Sequence, residues 1–124
     1  MKHWMPALVV ALLIFWLSSS SNPPGQNLAP DYVGHFVLYG VFALTLLWAL
    51  TRGLQKKITA KRAVGAFFFS SLYSATDEFH QSFVPHRSPS WSDILADALG
   101  AASFLLVTLA LVWIYRRRRQ VNES

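Results

Sequence analysis

Ionisable side chains occur in three short polar segments of an otherwise apolar sequence. The segments are Asp31-x-x-x-His35-x-x-x-Tyr39, Asp77-Glu78-x-His80-Gln81 with Arg87 shortly after it, and Asp93-x-x-x-Asp97. Carboxylates and imidazoles serve as general acids and bases, as ligands for metal ions and as hydrogen-bonding partners of hydroxyls and amines. These residue types predict a site for a polar ligand, or for acid–base chemistry, where the segments meet.

The middle segment has the spacing of a helical face, because residues three and four apart are neighbours on a helix. Asp77 shares a face with His80 and Gln81, and Tyr73 extends this face by one turn. Glu78 is expected to point elsewhere, toward Gln81 and the residue after it. The segment therefore predicts one polar stripe on one helix.

The other two segments predict matching stripes. Asp31 and His35 are four residues apart, as are Asp93 and Asp97. Gly100 continues the second stripe, and a small residue at this position lets another helix approach closely. Three helices are thus expected to present polar faces.

The composition indicates a membrane protein. The chain has 124 residues, of which 53% are hydrophobic and 14% are charged, whereas soluble domains carry about 25% charged residues. There is no cysteine, which excludes a disulfide framework and a thiol nucleophile. The net charge is +5, but the run Arg116–Arg119 directly follows an apolar segment, which favours an anchor at lipid headgroups over a nucleic-acid partner.

Four apolar runs predict an all-α, polytopic membrane protein built as a bundle of four transmembrane helices in a single domain over residues 1–124. The helices are expected near residues 4–21, 32–51, 62–83 and 92–115. A span needs about 20 residues, and the third run reaches that length only with Asp77, His80 and Gln81 inside the hydrophobic layer. The first run has a second interpretation as a cleaved signal peptide, which Trp16 and Leu17 disfavour because small residues are needed there.

The charges predict the orientation of the bundle. With four spans, ten of the eleven basic residues fall on the side that holds both termini and the loop of residues 51–62. The opposite side holds most of the acidic residues. Loops rich in Lys and Arg stay in the cytoplasm, so both termini are expected there.

The polar stripes of the three helices are expected at a similar depth in the membrane. Asp77 lies roughly 21 Å from Ala63 along the third helix, in a hydrocarbon layer about 30 Å thick. Ionisable residues inside a membrane normally face the bundle interior or a watery cavity and mark function. We therefore predict an outward-opening polar pocket. Its residues are Asp31, His35, Tyr39, Asp77, Glu78, His80, Gln81, Arg87, Asp93 and Asp97.

The same residues have a purely structural interpretation. Arg87 would then pair with Asp93 or Glu78, and His35 would hydrogen-bond Asp77, only to fix the packing of the helices.

The motifs resemble those of the VanZ-like family of small membrane proteins. The resemblance rests on Asp31-x-x-x-His35-Phe36-x-x-Tyr39, on Tyr73-x-x-x-Asp77-Glu78-x-His80-Gln81-x-Phe83-x-Pro85-x-Arg87, and on Asp93-x-x-x-Asp97-x-x-Gly100-Ala101. Four positions depart from the family pattern. The family usually has a basic residue at Tyr32, glycine at His86, asparagine at Asp97 and a second glycine near Phe104.

The family takes its name from a protein implicated in resistance to teicoplanin, a glycopeptide antibiotic that acts at the outer surface of the cytoplasmic membrane. The resemblance implies a protein of the bacterial cytoplasmic membrane that binds or modulates envelope lipids. The expected partners are membrane lipids, a lipid-linked envelope precursor or an amphiphilic antibiotic.

Two other functions fit the residues. One is an enzyme acting on a lipid-linked substrate, with His35, His80 and the carboxylates as ligands of a divalent metal. The zinc motif His-Glu-x-x-His is lacking, so the sequence by itself assigns no metal ion and no cofactor. The other is a small transporter or proton-coupled channel, because intramembrane acids and histidines suit proton relays.

Overall fold

The computed structural model describes residues 1–25 and 27–124. A single 3-10 turn over Lys2–Trp4 leads into four α-helices, and no strand occurs in the part of the chain that is described. The helices are α1 (Met5–Ser19), α2 (Asp31–Leu50), α3 (Ala60–Gln81) and α4 (Trp91–Glu123). The prediction of an all-α chain with four helices is confirmed.

Local chemistry explains where three of the helices begin. The hydroxyls of Thr59 and Ser90 accept hydrogen bonds of 3.3 Å from the backbone N–H groups of Arg62 and Asp93, at the starts of α3 and α4. Such caps satisfy N–H groups that have no partner within the helix. Pro30 directly precedes α2, where its missing N–H is not needed.

The fourth helix is longer than predicted, because it continues past residue 115 to Glu123. No glycine or proline interrupts this tail, and arginine and glutamine favour helix. Arg119 donates a hydrogen bond of 2.7 Å to Glu123 one turn later, and the Arg117 guanidinium lies 5.2 Å from the ring centre of Trp113. Every other helix end lies within two residues of its predicted position.

Glycines bring α2 and α4 together in the largest helix–helix interface of the bundle. A Cβ atom on Gly100 would lie 2.0 Å from the carbonyl oxygen of Phe36, and one on Gly40 would lie 2.5 Å from the Phe104 ring. Only glycine fits at either contact. The Phe104 ring, at the place where the family pattern has a glycine, packs directly on Gly40 of the facing helix.

The remaining helices are arranged around this pair. α3 packs against both α2 and α4, whereas α1 lies at the edge of the bundle against α2 and α3. Within the described residues, α1 does not approach the backbone of α4. The edge position of α1 leaves a gap beside α2 that becomes important for the site.

The outer surface of the bundle is apolar. Large side chains such as Leu12, Phe68 and Leu106 are each about 60% exposed, as expected for a surface in contact with lipid rather than water. Segments Lys2–Ser19, Asp31–Leu50 and Trp91–Glu123 are long and apolar enough to cross a membrane. α3 has the length for a span, with 22 residues, but it carries polar groups at its end. Its role as the fourth span remains a prediction.

The conformation of the turn between α3 and α4 explains why glycine suits the position that His86 occupies. His86 has φ = +63°, in the left-handed region that favours glycine. The glycine usual in the family at this position therefore meets a requirement of the turn, which His86 meets here at some conformational cost.

Candidate functional site

The site is centred on the imidazole of His35, in the second turn of α2. His35 Nδ1 lies 2.7 Å from Asp97 Oδ1 on α4. Since an ionised carboxylate only accepts hydrogen bonds, Nδ1 carries the hydrogen and donates it to Asp97. The second nitrogen, Nε2, lies 3.8 Å from Asp31 and 3.9 Å from Asp93, so one imidazole contacts three carboxylates. Asp31 and His35 share a face of α2, and Asp93 and Asp97 share a face of α4, as predicted.

Asp97 is held by a second helix as well. The Ser74 hydroxyl on α3 donates to Asp97 Oδ2 at 2.6 Å, and the Asp97 side chain is only 1% exposed. Its two carboxylate oxygens thus join α2 to α3 through α4. This arrangement fixes the orientation of the His35 ring, in the way that a carboxylate behind a histidine fixes its tautomer.

Asp77 forms a second network, close to the first. Its carboxylate accepts hydrogen bonds from the Tyr39 hydroxyl at 2.9 Å, from Gln81 Nε2 at 3.4 Å, and from the Ser18 hydroxyl of α1. Gln81 also donates to Ser18 at 3.3 Å. The Tyr39 ring stacks parallel to the His35 ring, which links the two networks. The structural interpretation predicted a hydrogen bond from His35 to Asp77, but His35 bonds Asp97 instead.

Glu78 corrects the expected geometry of α3. It was expected to point away from the polar face, yet one of its oxygens lies within 4.8 Å of ligand atoms of both His35 and Asp97. Its side chain is buried, and neither carboxylate oxygen has a hydrogen-bond partner among the described residues. The polar stripe on α3 is wide enough to include both Asp77 and Glu78, because neighbouring positions on a helix are only 100° apart.

Two further residues of the predicted pocket lack the contacts that the sequence predicted. His80 Nε2 lies 3.0 Å from the Ser19 hydroxyl, and its ring packs on Phe15 of α1; it does not line the cavity described below. Arg87 is half-buried, and its Nε atom has no hydrogen-bond partner within the described chain. It pairs with neither Asp93 nor Glu78 within ion-pair distance.

A cavity of about 420 Å³ opens between α1 and α2 and reaches the polar groups. Most of its wall is apolar, from side chains such as Leu13, Ile14 and Leu38. The loop that follows α1 covers part of it with Pro23 and Pro24. Its polar lining is formed by Ser18, Asp31, His35, Tyr39, Asp77, Gln81 and Arg87.

Two serines take part in the networks although neither was among the predicted pocket residues. Ser18 binds Asp77 from α1, and Ser74 binds Asp97 from α3. Ser74 lies three residues before Asp77, on the polar stripe of the same helix, and that spacing was available as a signal. Ser18 lies in a run of four serines, among which only the packing of α1 selects it.

Comparison with known proteins gives the family. The protein of Bacillus subtilis (strain 168) named "Glycerol-3-phosphate transporter" is 26% identical over 117 residues. The match covers 94% of this chain but only 26% of that relative, so the chain spans about a quarter of the length of this curated protein. No solved structure matches the chain significantly.

The family model VanZ/LLP1 matches residues 4–115, which include α1, α2, α3, α4 as far as residue 115 and every predicted pocket residue. The chain therefore belongs to the VanZ/LLP1 family, as its motifs indicated, and family and apolar helices together point to a bacterial membrane protein linked to glycopeptide resistance.

Proposed function

We propose that the protein binds an amphiphilic molecule of the cell envelope, with the apolar tail between α1 and α2 and the headgroup at the polar cluster. The observation that carries this proposal is the lining of the cavity. Its wall is apolar along α1 and α2 and polar at the end that reaches His35 and Asp77. Ligand sites typically combine such an apolar lining with a few placed polar groups, in volumes of about 300–1,000 Å³.

The polar end favours a headgroup of mixed character. Arg87 lines the cavity, and its Nε atom has no partner among the described residues, so it can meet a phosphate. Asp31 also lines the cavity, with a side chain 63% exposed, and can accept hydrogen bonds from an amine or a hydroxyl. A phospholipid with an ethanolamine or glycerol headgroup, or a lipid-linked envelope precursor, presents both kinds of group.

The relative's name supports a phosphate ester. The B. subtilis protein is named as a transporter of glycerol 3-phosphate, which combines a phosphate with hydroxyl groups, as glycerophospholipid headgroups do. The match covers only 26% of that protein, so it supports the class of headgroup and not the activity of the whole relative.

Filling the cavity tests the tail position. Gly34 lines the cavity, and a Cβ atom there would meet nothing within 4 Å, so Gly34→Phe adds a ring to the cavity without a backbone clash. We expect it to abolish lipid retention, measured by native mass spectrometry of the protein in mild detergent. Val64→Phe, on an exposed position of α3, is the matched control and should retain lipid.

Headgroup variation tests the polar end. Phosphatidylethanolamine and phosphatidylglycerol carry hydrogen-bond donors, whereas phosphatidylcholine has the same phosphate without them. We expect the first two to occupy the protein at least about 10-fold more than the third, which corresponds to about 1.4 kcal/mol.

Arg87→Gln should weaken all three lipids, and the exposed tail variant Arg118→Gln should weaken none. Equal occupancy by the three lipids, or lipid binding that survives both Gly34→Phe and Arg87→Gln, would reject the proposal.

An enzyme acting on a lipid-linked substrate is the second candidate, because one observation favours it. The hydrogen bond from Nδ1 of His35 to Asp97 leaves Nε2 as a base, and a carboxylate–imidazole pair is a common arrangement in general acid–base catalysis. His35 also lines the cavity. Turnover of a retained lipid by the wild type, lost in Asp97→Asn, would favour the enzyme over a binding protein.

Transport is the third candidate and depends on the relative's name. The buried ionisable side chains of the described residues all lie at one end of the bundle, around His35 and Asp77, and no series of them leads to the other end. We therefore expect no uptake of glycerol 3-phosphate by proteoliposomes.

A further inference from the structure

The carboxylate of Glu78 lacks any partner that the described chain provides. The residue is 5% exposed, and both oxygens are buried without a hydrogen bond within the described residues. Buried polar groups are normally paired, and an unpaired buried carboxylate is costly. The two free acceptor oxygens point to a ligand that carries positive charge.

The atoms around Glu78 are those that bind metal ions. One ligand atom each from His35, Glu78 and Asp97 lie within 4.8 Å of one another, and the same holds for Asp31, His35 and Asp93. The two groups share His35, whose Nε2 is left for an ion because Nδ1 donates to Asp97. A carboxylate behind a histidine is the usual support of a metal ligand.

The charge of the cluster requires compensation. Four carboxylates surround a single imidazole, and every ion pair within 4.0 Å of them in the described residues involves that imidazole. Neither lysine nor arginine pairs with the cluster in that part of the chain. A divalent cation would supply the missing charge and also occupy the free oxygens of Glu78.

We propose that His35 Nε2, Glu78 and Asp93, with Asp31 at the exposed rim, bind one divalent cation of the first transition row, of the Mn²⁺ or Zn²⁺ type, while Asp97 orients the imidazole from its Nδ1 side. The imidazole favours these ions over Mg²⁺ and Ca²⁺, which prefer ligand sets made only of oxygen. Ligand atoms on a four-coordinate ion lie about 3–3.5 Å apart. The cluster would therefore contract by about an ångström when the ion binds.

Metal titration tests the site directly. Tag-free protein in detergent is stripped with a chelator and titrated with Mn²⁺ alone, and free Mn²⁺ is followed by its electron paramagnetic resonance signal. We expect one equivalent per chain, and Zn²⁺ should displace it. Glu78→Gln should weaken binding by at least about 10–100-fold, whereas the exposed tail variant Glu123→Gln should not.

Stability measurements separate loss of the site from loss of the fold. Glu78→Gln removes an unpaired buried charge and keeps the side-chain shape, so the metal-free variant should melt no lower than the metal-free wild type. Only the wild type should gain thermal stability from excess Mn²⁺. His35→Ala should lose Mn²⁺ binding as well. His86→Ala, which removes a histidine exposed in the α3–α4 turn, is its matched control and should keep Mn²⁺ binding.

The two proposals fail separately. Gly34→Phe should lose lipid and keep the metal, and Glu78→Gln should lose the metal and keep lipid, because Glu78 does not line the cavity. Binding of less than about one tenth of an equivalent of Mn²⁺ or Zn²⁺, or full binding by Glu78→Gln, would overturn the metal site whatever the lipid experiment shows.

Discussion

At the scale of single residues, the centre of the bundle is held by hydrogen bonds to two carboxylates. Asp97 accepts from His35 at 2.7 Å and from Ser74 at 2.6 Å, and Asp77 accepts from Tyr39 at 2.9 Å. Each carboxylate thus receives donors from more than one helix. Hydrogen bonds to charged groups contribute about 1.5–3 kcal/mol each, so these pairs contribute to the stability of the bundle as well as to its site.

Removal of one donor tests this contribution. Tyr39→Phe deletes the hydroxyl that bonds Asp77 while preserving the buried ring. We expect the free energy of unfolding, measured in detergent micelles, to fall by about 1–3 kcal/mol. Tyr32→Phe removes a hydroxyl from a side chain that is 56% exposed, and should have no measurable effect. Equal stability of the two variants would show that the Tyr39–Asp77 bond is not stabilising.

At the scale of the helices, contact between backbones determines the packing of α2 against α4. Gly100 lets the carbonyl oxygen of Phe36 come so close that a Cβ atom would lie 2.0 Å away. The same approach brings His35 of α2 to Asp97 of α4, which lies one turn before Gly100. A glycine that bears no chemistry thus sets the distance between two groups that do.

A pair of glycine substitutions isolates this effect. Gly100→Ala should force α2 and α4 apart and cost about 1–3 kcal/mol or more. Gly34→Ala adds the same methyl group at a helical position where nothing lies within 4 Å, so it should be neutral or slightly stabilising, since alanine favours helix. Thermal unfolding of both variants in detergent compares them. Similar melting temperatures would contradict the tight contact at Gly100.

At the scale of the whole molecule, the bundle is polar at one end of its interior and apolar on its outer surface. The C-terminal ends of α1 and α3 meet the N-terminal ends of α2 and α4 at the polar cluster. The basic loop of residues 51–62 and the basic tail of α4 lie at the opposite end. This separation agrees with an orientation in which the cluster faces outward and the basic end faces the cytoplasm.

Single cysteines test the orientation, because the natural chain has none. Ser88→Cys in the α3–α4 turn should react with a membrane-impermeant maleimide in intact bacterial cells. Ser124→Cys at the C-terminus should react only after the membrane is permeabilised. Both positions are exposed, so access through the membrane is the only difference. Labelling of Ser124→Cys in intact cells would contradict a cytoplasmic C-terminus.

The sequence by itself determined the helices and the polar faces, because both depend on local information. Hydrophobic runs, prolines and N-cap serines are read along the chain, and i, i+4 spacing gives a common face without any tertiary contact. The length of α4 was underestimated, because a change from apolar to basic residues marks the edge of a membrane and not the end of a helix.

Only the tertiary structure decided which polar groups meet. The rotation of each helix about its axis directs Glu78 toward His35, selects Asp97 rather than Asp77 as the partner of His35, and places His80 against α1. The cavity likewise depends on the peripheral position of α1. Spacing fixes the angles between side chains on one helix, but the rotation of one helix relative to the next follows from contacts such as Gly100 on Phe36, which are distant in the sequence.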